Sequence, residues 1–231
     1  MIYCSQEKII PGKIAKVMPA KLPQGIQQQV EKGISILRKG GIVAFPTDTV
    51  YGLGAGANLH QAVERIYQLK GRPRGMALPL LLAHISQIGE VAESVPPLAW
   101  LLARQFLPGA LTIVLPRSRS VPDIITGGGM TVAVRVPAHP IPVALVDGLG
   151  MPIVGTSTNL SGKPSALTAG EAYSQFGDKI DLVVDGGRCP GGRESTVVDV
   201  TGERPVVLRE GAISYDKLKQ VCGDIILREG G

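Results

Sequence analysis

The stretch QGIQQQVEKGISILRKGGIVAFPTDTVYGLGAG, residues 24–56, decides the fold class. Ile26, Val30, Ile34 and Leu37 recur at helical spacing, and Gly40-Gly41 stops the helix. Ile42-Val43-Ala44-Phe45 follows as a short apolar run, the reading of a buried strand. The strand leads through Pro46 into Gly52-Leu53-Gly54-Ala55-Gly56. A Gly-rich turn in that place would let backbone N–H groups approach an anion. A tight turn that needs positive φ explains the same glycines without a ligand.

Working outward, the alternation of helix and strand persists. Asn58 is expected to cap a second helix with Gln61 in a capping box, its apolar face Val63, Ile66 and Leu69 and its terminator Gly71. Strands are expected at Leu78–Ala83, Leu111–Leu115, Thr131–Val136, Ile153-Val154, Ile180–Val184, Thr196–Val200 and Val206–Leu208. Helices are expected at Leu98–Phe106, around Pro142–Val146, from Thr168 with Glu171 as capping box, and from Ser214, before a final segment Asp224–Leu227. In Thr131–Val136 the period is two, so Thr131 and Arg135 share one face. These elements make one α/β domain with a twisted mixed sheet flanked by helices, spanning 25–231. Residues 1–24, which carry Pro11, Pro19 and Pro23, read as an unassigned N-terminal arm or edge strand.

Composition narrows the function classes. At 231 residues, 44% hydrophobic and 19% charged, the chain can bury its own core and is not disordered. The longest apolar run, Leu78–Ala83, is far below the roughly 20 residues a membrane span needs. The opening residues Met1–Glu7 lack the basic start and apolar run of a signal peptide, so a cytoplasmic protein is expected. Cys4, Cys189 and Cys222 are widely spaced, as are His60, His84 and His139, which suits neither a disulfide framework nor a metal site; a metal is expected only with a substrate. A net charge of +5 favours anionic partners, while 4% aromatics leave few platforms for stacked bases.

Three further blocks carry cations and hydroxyls. Lys70-Gly71-Arg72-Pro73-Arg74 lies just past a helix C-terminus, where the dipole alone favours cations but a fixed guanidinium fork also suits phosphate. Gly155-Thr156-Ser157-Thr158-Asn159 with Ser161 and Ser165 follows a strand; ligands collect at such carboxyl ends, and turn chemistry is the alternative. Glu194-Ser195-Thr196-Val197 and Leu208-Arg209-Glu210-Gly211 form the last block, in which Arg209 either faces a cleft or pairs on the surface with Glu203 or Glu210. No Ser-His-Asp order or GxSxG accompanies the hydroxyls, so an activated serine is not expected.

Together the blocks resemble the YrdC/TsaC family of threonylcarbamoyl-AMP synthases: Lys70-Gly71-Arg72 as its KxR, Ser157-Thr158-Asn159 as its SxN, and the PTDTVYGLG, TVAVR, ESTV and LREGAIS segments in family order. The resemblance implies a YrdC-like fold with a concave basic cleft and a nucleotidyltransferase. Such an enzyme joins L-threonine, bicarbonate and ATP into threonylcarbamoyl-AMP and pyrophosphate, feeding the tRNA-threonylcarbamoyl transferase machinery that makes N6-threonylcarbamoyladenosine in tRNA. It further implies Lys70 and Arg72 as catalytic phosphate holders and Thr131, Ser157, Asn159, Ser165 and Arg209 on ATP. Thr49, Arg135 and Ser195 are implied on threonine, and Mg²⁺ enters with ATP. Longer members append a second domain, so a chain ending soon after Ser214 is expected to be the single-domain form. Met76-Ala77, Leu81 and Thr158 depart from common family residues. Two other readings remain: a YciO-like paralogue with different activity, and an RNA-binding module of the same fold. The basic face would also allow weak RNA binding.

Overall fold

The computed structural model describes residues 22–160 and 162–228. In chain order the elements are α1 (Gln24–Arg38), β1 (Val43–Phe45), β2 (Gly52–Gly56), α2 (His60–Lys70), β3 (Leu80–Leu81), α3 (Ile88–Val91), α4 (Pro97–Phe106) and β4 (Leu111–Pro116). There follow α5 (Asp123–Thr126), β5 (Thr131–Arg135), α6 (Pro140–Leu149), β6 (Ile153–Ser157), α7 (Ala169–Phe176), β7 (Leu182–Val183), β8 (Thr196–Asp199), β9 (Val206–Arg209), α8 (Tyr215–Cys222) and β10 (Ile226–Leu227). The strands form one mixed sheet in the order β10-β9-β8-β4-β5-β3-β6-β2-β1-β7. The expected α/β class and mixed sheet are therefore present. The arm expected at residues 1–24 lies almost wholly outside the described residues; α1 already begins at Gln24.

Alternation along the strands sorts side chains into two cores. Leu111, Ile113 and Leu115 of β4, Val132 and Val134 of β5, Val198 of β8 and Val207 of β9 join a cluster that includes residues of α2, α4, α7 and α8. On the opposite face Val43 and Phe45 pack with α1 and α6 through Val30, Leu37, Ile141 and Leu145. The cluster under those two helices reaches Ile153 of β6 and Leu81 of β3 on that face. The remainder, over β5, β4 and β8, stays open, and that gap is where the cleft lies.

Three expectations need correction. Gly52–Gly56 is neither a phosphate-cradling turn nor a positive-φ turn but a fully buried strand, antiparallel to both β1 and β6. Phe45 lies against Gly52 and Gly54: a Cβ on Gly54 would come within 2.8 Å of the Phe45 ring and 2.6 Å of Ile153. Asn58 does not cap α2; Leu59 holds the cap position without a side-chain cap bond and packs against the core instead. Thr168 does cap α7, accepting from Glu171 N, but the Glu171 carboxylate accepts the Leu167 N–H rather than closing a capping box on Thr168.

Candidate active site

The open face of the sheet forms a cleft of about 560 Å³. Its floor is the other half of the strand alternation, polar and small apolar side chains mixed: Thr131, Ala133 and Arg135 of β5, Thr112 and Val114 of β4, Val197 and Asp199 of β8 and Leu208 of β9. Thr131 and Arg135 thus share a face, as their spacing requires. The site sits on the face of the sheet and runs past the carboxyl end of β6, where Asn159 and Gly162 line it as the Ser/Thr-rich block suggested. β6 continues through Ser157.

Thr49, Lys70, Arg72, Thr131, Arg135, Ser157, Asn159, Ser195 and Arg209 all line the cleft; Ser165 does not. The Ser165 hydroxyl instead donates to Glu194 Oε1 at 2.9 Å. Lys70, at the end of α2, donates to Ser157 O at 2.6 Å, Asn159 O at 2.8 Å and Asn159 Oδ1 at 3.0 Å. These three bonds tie the ammonium to the Ser157-Thr158-Asn159 segment. Burial, reinforced by Arg72, lowers its pKa to about 8. Arg72 donates through Nε to Met76 O and through Nη2 to Ala77 O, which leaves Nη1 for the cleft among the described residues. Both acceptors are backbone carbonyls, so the unusual side chains at 76 and 77 do not enter these bonds.

Two arginine–carboxylate pairs organise the rest. Arg135 Nη2 donates to Asp48 Oδ1 at 2.7 Å and Nε to Gly109 O at 3.0 Å, and Asp48 also accepts the Ala138 N–H. Burial pulls the Arg135 pKa down and Asp48 pushes it back, so the guanidinium stays charged and fixed. Arg209 donates to Ser195 O through Nε and Nη2, to Ser195 Oγ through Nη2, and to Glu194 Oε2 through Nη1. Burial raises the Glu194 pKa, but Arg209, the Ser157 and Ser165 hydroxyls and Lys70 outweigh it and hold the carboxyl below its usual range. Ser157 Oγ also lies 2.7 Å from Asn159 Oδ1, so its single proton serves one acceptor at a time.

Hydroxyl bookkeeping fixes one more group. Thr47 Oγ1 donates to Val50 O at 2.7 Å and lies 2.9 Å from Thr49 Oγ1, so the Thr49 hydroxyl is the donor of that pair. Thr49 therefore presents lone pairs to the cleft. Thr112 and Ser195 hydroxyls lie 2.8 Å apart on the floor. Thr158 Oγ1 is buried without a partner among the described residues, which costs stability. Sequence reasoning missed Asp48, Thr112 and Glu194 as site residues, although Asp48 and Glu194 stand inside quoted blocks. No three His, Cys, Asp or Glu among the described residues converge as a metal cage.

Comparison with known proteins adds a lineage to this geometry. The chain is 46% identical to a threonylcarbamoyl-AMP synthase of Pyrococcus abyssi over 82% of its length and 56% of the relative's. It is 41% identical to that of Bacillus subtilis over 87% of its own length and 59% of the other's, so it spans somewhat over half of these relatives. The crystal structure of P. abyssi Sua5 complexed with L-threonine superposes with a TM-score of 0.84 at 44% identity, covering 86% of this chain and 58% of that one. Escherichia coli YciO superposes with a TM-score of 0.78 at 31% identity, covering 85% of this chain and 95% of that one. The Sua5/YciO/YrdC family model, described as telomere recombination, matches residues 35–211, a span that holds every cleft-lining residue named above, and the chain belongs to that family.

Proposed function

We propose that the cleft makes threonylcarbamoyl-AMP and pyrophosphate from L-threonine, bicarbonate and ATP, supplying the threonylcarbamoyl group for N6-threonylcarbamoyladenosine in tRNA. The observation that supports this most is the gathering of Arg72, Arg209 and the fixed Arg135 on one hydroxyl-lined cleft. An amino-acid carboxylate and a polyphosphate each require a cation of their own. Likeness to relatives of the same activity, one of them solved with L-threonine, points the same way.

In this reading Arg135 holds the threonine carboxylate, with Ser195 alongside and Thr49 accepting an N–H of the substrate. Arg72 and Arg209 face the phosphates, beside Thr131 and Ser157. Bicarbonate takes up a proton and loses water to give carbon dioxide, threonine's amine adds to it with loss of a proton, the carbamate oxygen attacks the α-phosphorus, and pyrophosphate leaves. Charge gathers on phosphate oxygens in that transition state, so fixed cations stabilise it without a covalent enzyme intermediate. Mg²⁺ comes with ATP, held by phosphates and water. The downstream partner is the tRNA-threonylcarbamoyl transferase machinery. Among the described residues no helix is long and apolar enough to cross a membrane, in keeping with a cytoplasmic enzyme.

The test is pyrophosphate release from ATP, which should require both threonine and bicarbonate. Release without either, or none with both, overturns the reading. Arg72→Ala should abolish release and leave the fold intact. A YciO-like paralogue with another activity is the second reading, favoured by the YciO superposition; it predicts no threonine dependence.

A further inference from the structure

Glu194 is out of place in a cleft built for anions. It lines the cleft beside Lys70, Arg72 and Arg209, and a polyphosphate would add further negative charge there. Its two carboxylate oxygens are taken by Arg209 Nη1 and the Ser165 hydroxyl, and Ser157 is within its reach. Arg209, Ser157 and Ser165 are also the groups that the family resemblance assigns to the nucleotide. Of the five guanidinium N–H groups of Arg209, the remaining bonds go to Ser195 O and Oγ. Arg209 has at most one N–H left, so it cannot grip a phosphate with two bonds while Glu194 stays where it is.

We propose that the Glu194 carboxylate is an internal anion that occupies part of the phosphate site and is displaced by the incoming triphosphate. Resting on the reading of the cleft as an ATP site, this makes Glu194 a specificity-determining residue. Anions of low charge do not repay the loss of the Arg209 and Ser165 bonds, whereas a polyphosphate brings enough charge to take Arg209 over. When pyrophosphate leaves, the carboxylate returns and lowers the affinity for it. The side chains of Arg209 and Glu194 are 43% and 32% exposed, so the pair is wet enough to open without burying an unpaired charge. Glu194 lies two residues beyond Gly192, whose φ of +70° marks a turn at the base of its segment.

The proposal is tested by titrating the full chain with ATP and with inorganic pyrophosphate, in the absence and presence of Mg²⁺. Glu194→Gln keeps the shape and removes the charge; it should bind both ligands about two- to fivefold more tightly without Mg²⁺, the scale of one partly exposed ion pair. Pyrophosphate should inhibit turnover of that variant more strongly by the same factor. Ser165→Ala, which frees one carboxylate oxygen and leaves the charge, should tighten pyrophosphate binding by a smaller factor, and it carries the test should E194Q fail to fold. Binding in E194Q that is unchanged or weaker, with wild type binding ATP, overturns the internal anion. Weakening confined to Mg²⁺ makes Glu194 a metal ligand and overturns it too. If neither wild type nor either variant binds ATP or pyrophosphate, the ATP-site reading itself falls.

Discussion

The cleft holds two arginine–carboxylate pairs that differ in where the acid stands. Asp48 is outside the cleft lining, behind Arg135, and the side chains are 14% and 9% exposed. Glu194 stands in the lining itself, and its pair with Arg209 is several times wetter. An acid behind the cation holds it in place and leaves its outer N–H groups for a ligand. An acid in front competes with the ligand. The same chemical pair therefore fixes one half of the site and makes the other exchangeable.

The harshest way to break this contrast is to remove each arginine. Arg135→Ala strands Asp48 as a buried charge, which costs about 3–5 kcal/mol. Its Tm should fall by roughly 10 °C, and threonine-dependent pyrophosphate release should drop more than about a hundredfold. Arg209→Ala should cost about tenfold in release with little change in Tm, because its partner can turn to water. Equal Tm losses, read by calorimetry, would erase the distinction.

A gentler version removes only charge. Asp48→Asn keeps the acceptor for Arg135 and should raise the KM for threonine about tenfold, with the KM for ATP unmoved. A rise in both would mean that Asp48 supports the whole sheet face rather than one cation. Two glycines sharpen the contrast further. A Cβ on Gly191 would come 2.7 Å from Asp48 O and 2.9 Å from Thr49 Cα, whereas one on Gly211 would come 2.2 Å from Glu194 O. Gly191→Ala should therefore raise the KM for threonine several-fold and Gly211→Ala that for ATP, measured with the other substrate saturating. Crossed effects would show that the two pairs are not separable.

These differences were only half legible in the sequence. Period two in Thr131–Arg135 announced that Arg135 and Thr131 share a face, because valine on the other face made the alternation visible. The same period in Gly52–Gly56 was hidden, since the glycines that lie against Phe45 carry no side chain to count. Joining Lys70 to Ser157 and Asn159 needed the resemblance, as nothing local links residues 87 positions apart. Asp48 and Glu194 escape a reading of the sequence because a carboxylate beside hydroxyls reads as a side chain facing water until a partner is seen. The motif implies Ser165 on the nucleotide but says nothing of its bond to Glu194, which only the structure shows.

Lys70 offers the smallest effect and a sign that separates site from fold. Its pKa is lowered from 10.5 to about 8, chiefly by burial. Between those values the unfolded chain keeps the proton and the folded chain does not, so its contribution to stability rises with pH across that window. Activity should run the other way. A neutral amine has two N–H groups for the three acceptors on Ser157 and Asn159, so the SxN segment loosens as the proton leaves. The kcat/KM for ATP should show an alkaline limb near pH 8, with no matching fall in Tm. Lys70→Met, which fills the same space without titrating, should be slow and should lack that limb. A limb that survives in this variant would assign the titration to another group and leave Lys70 a strut whose charge does not matter.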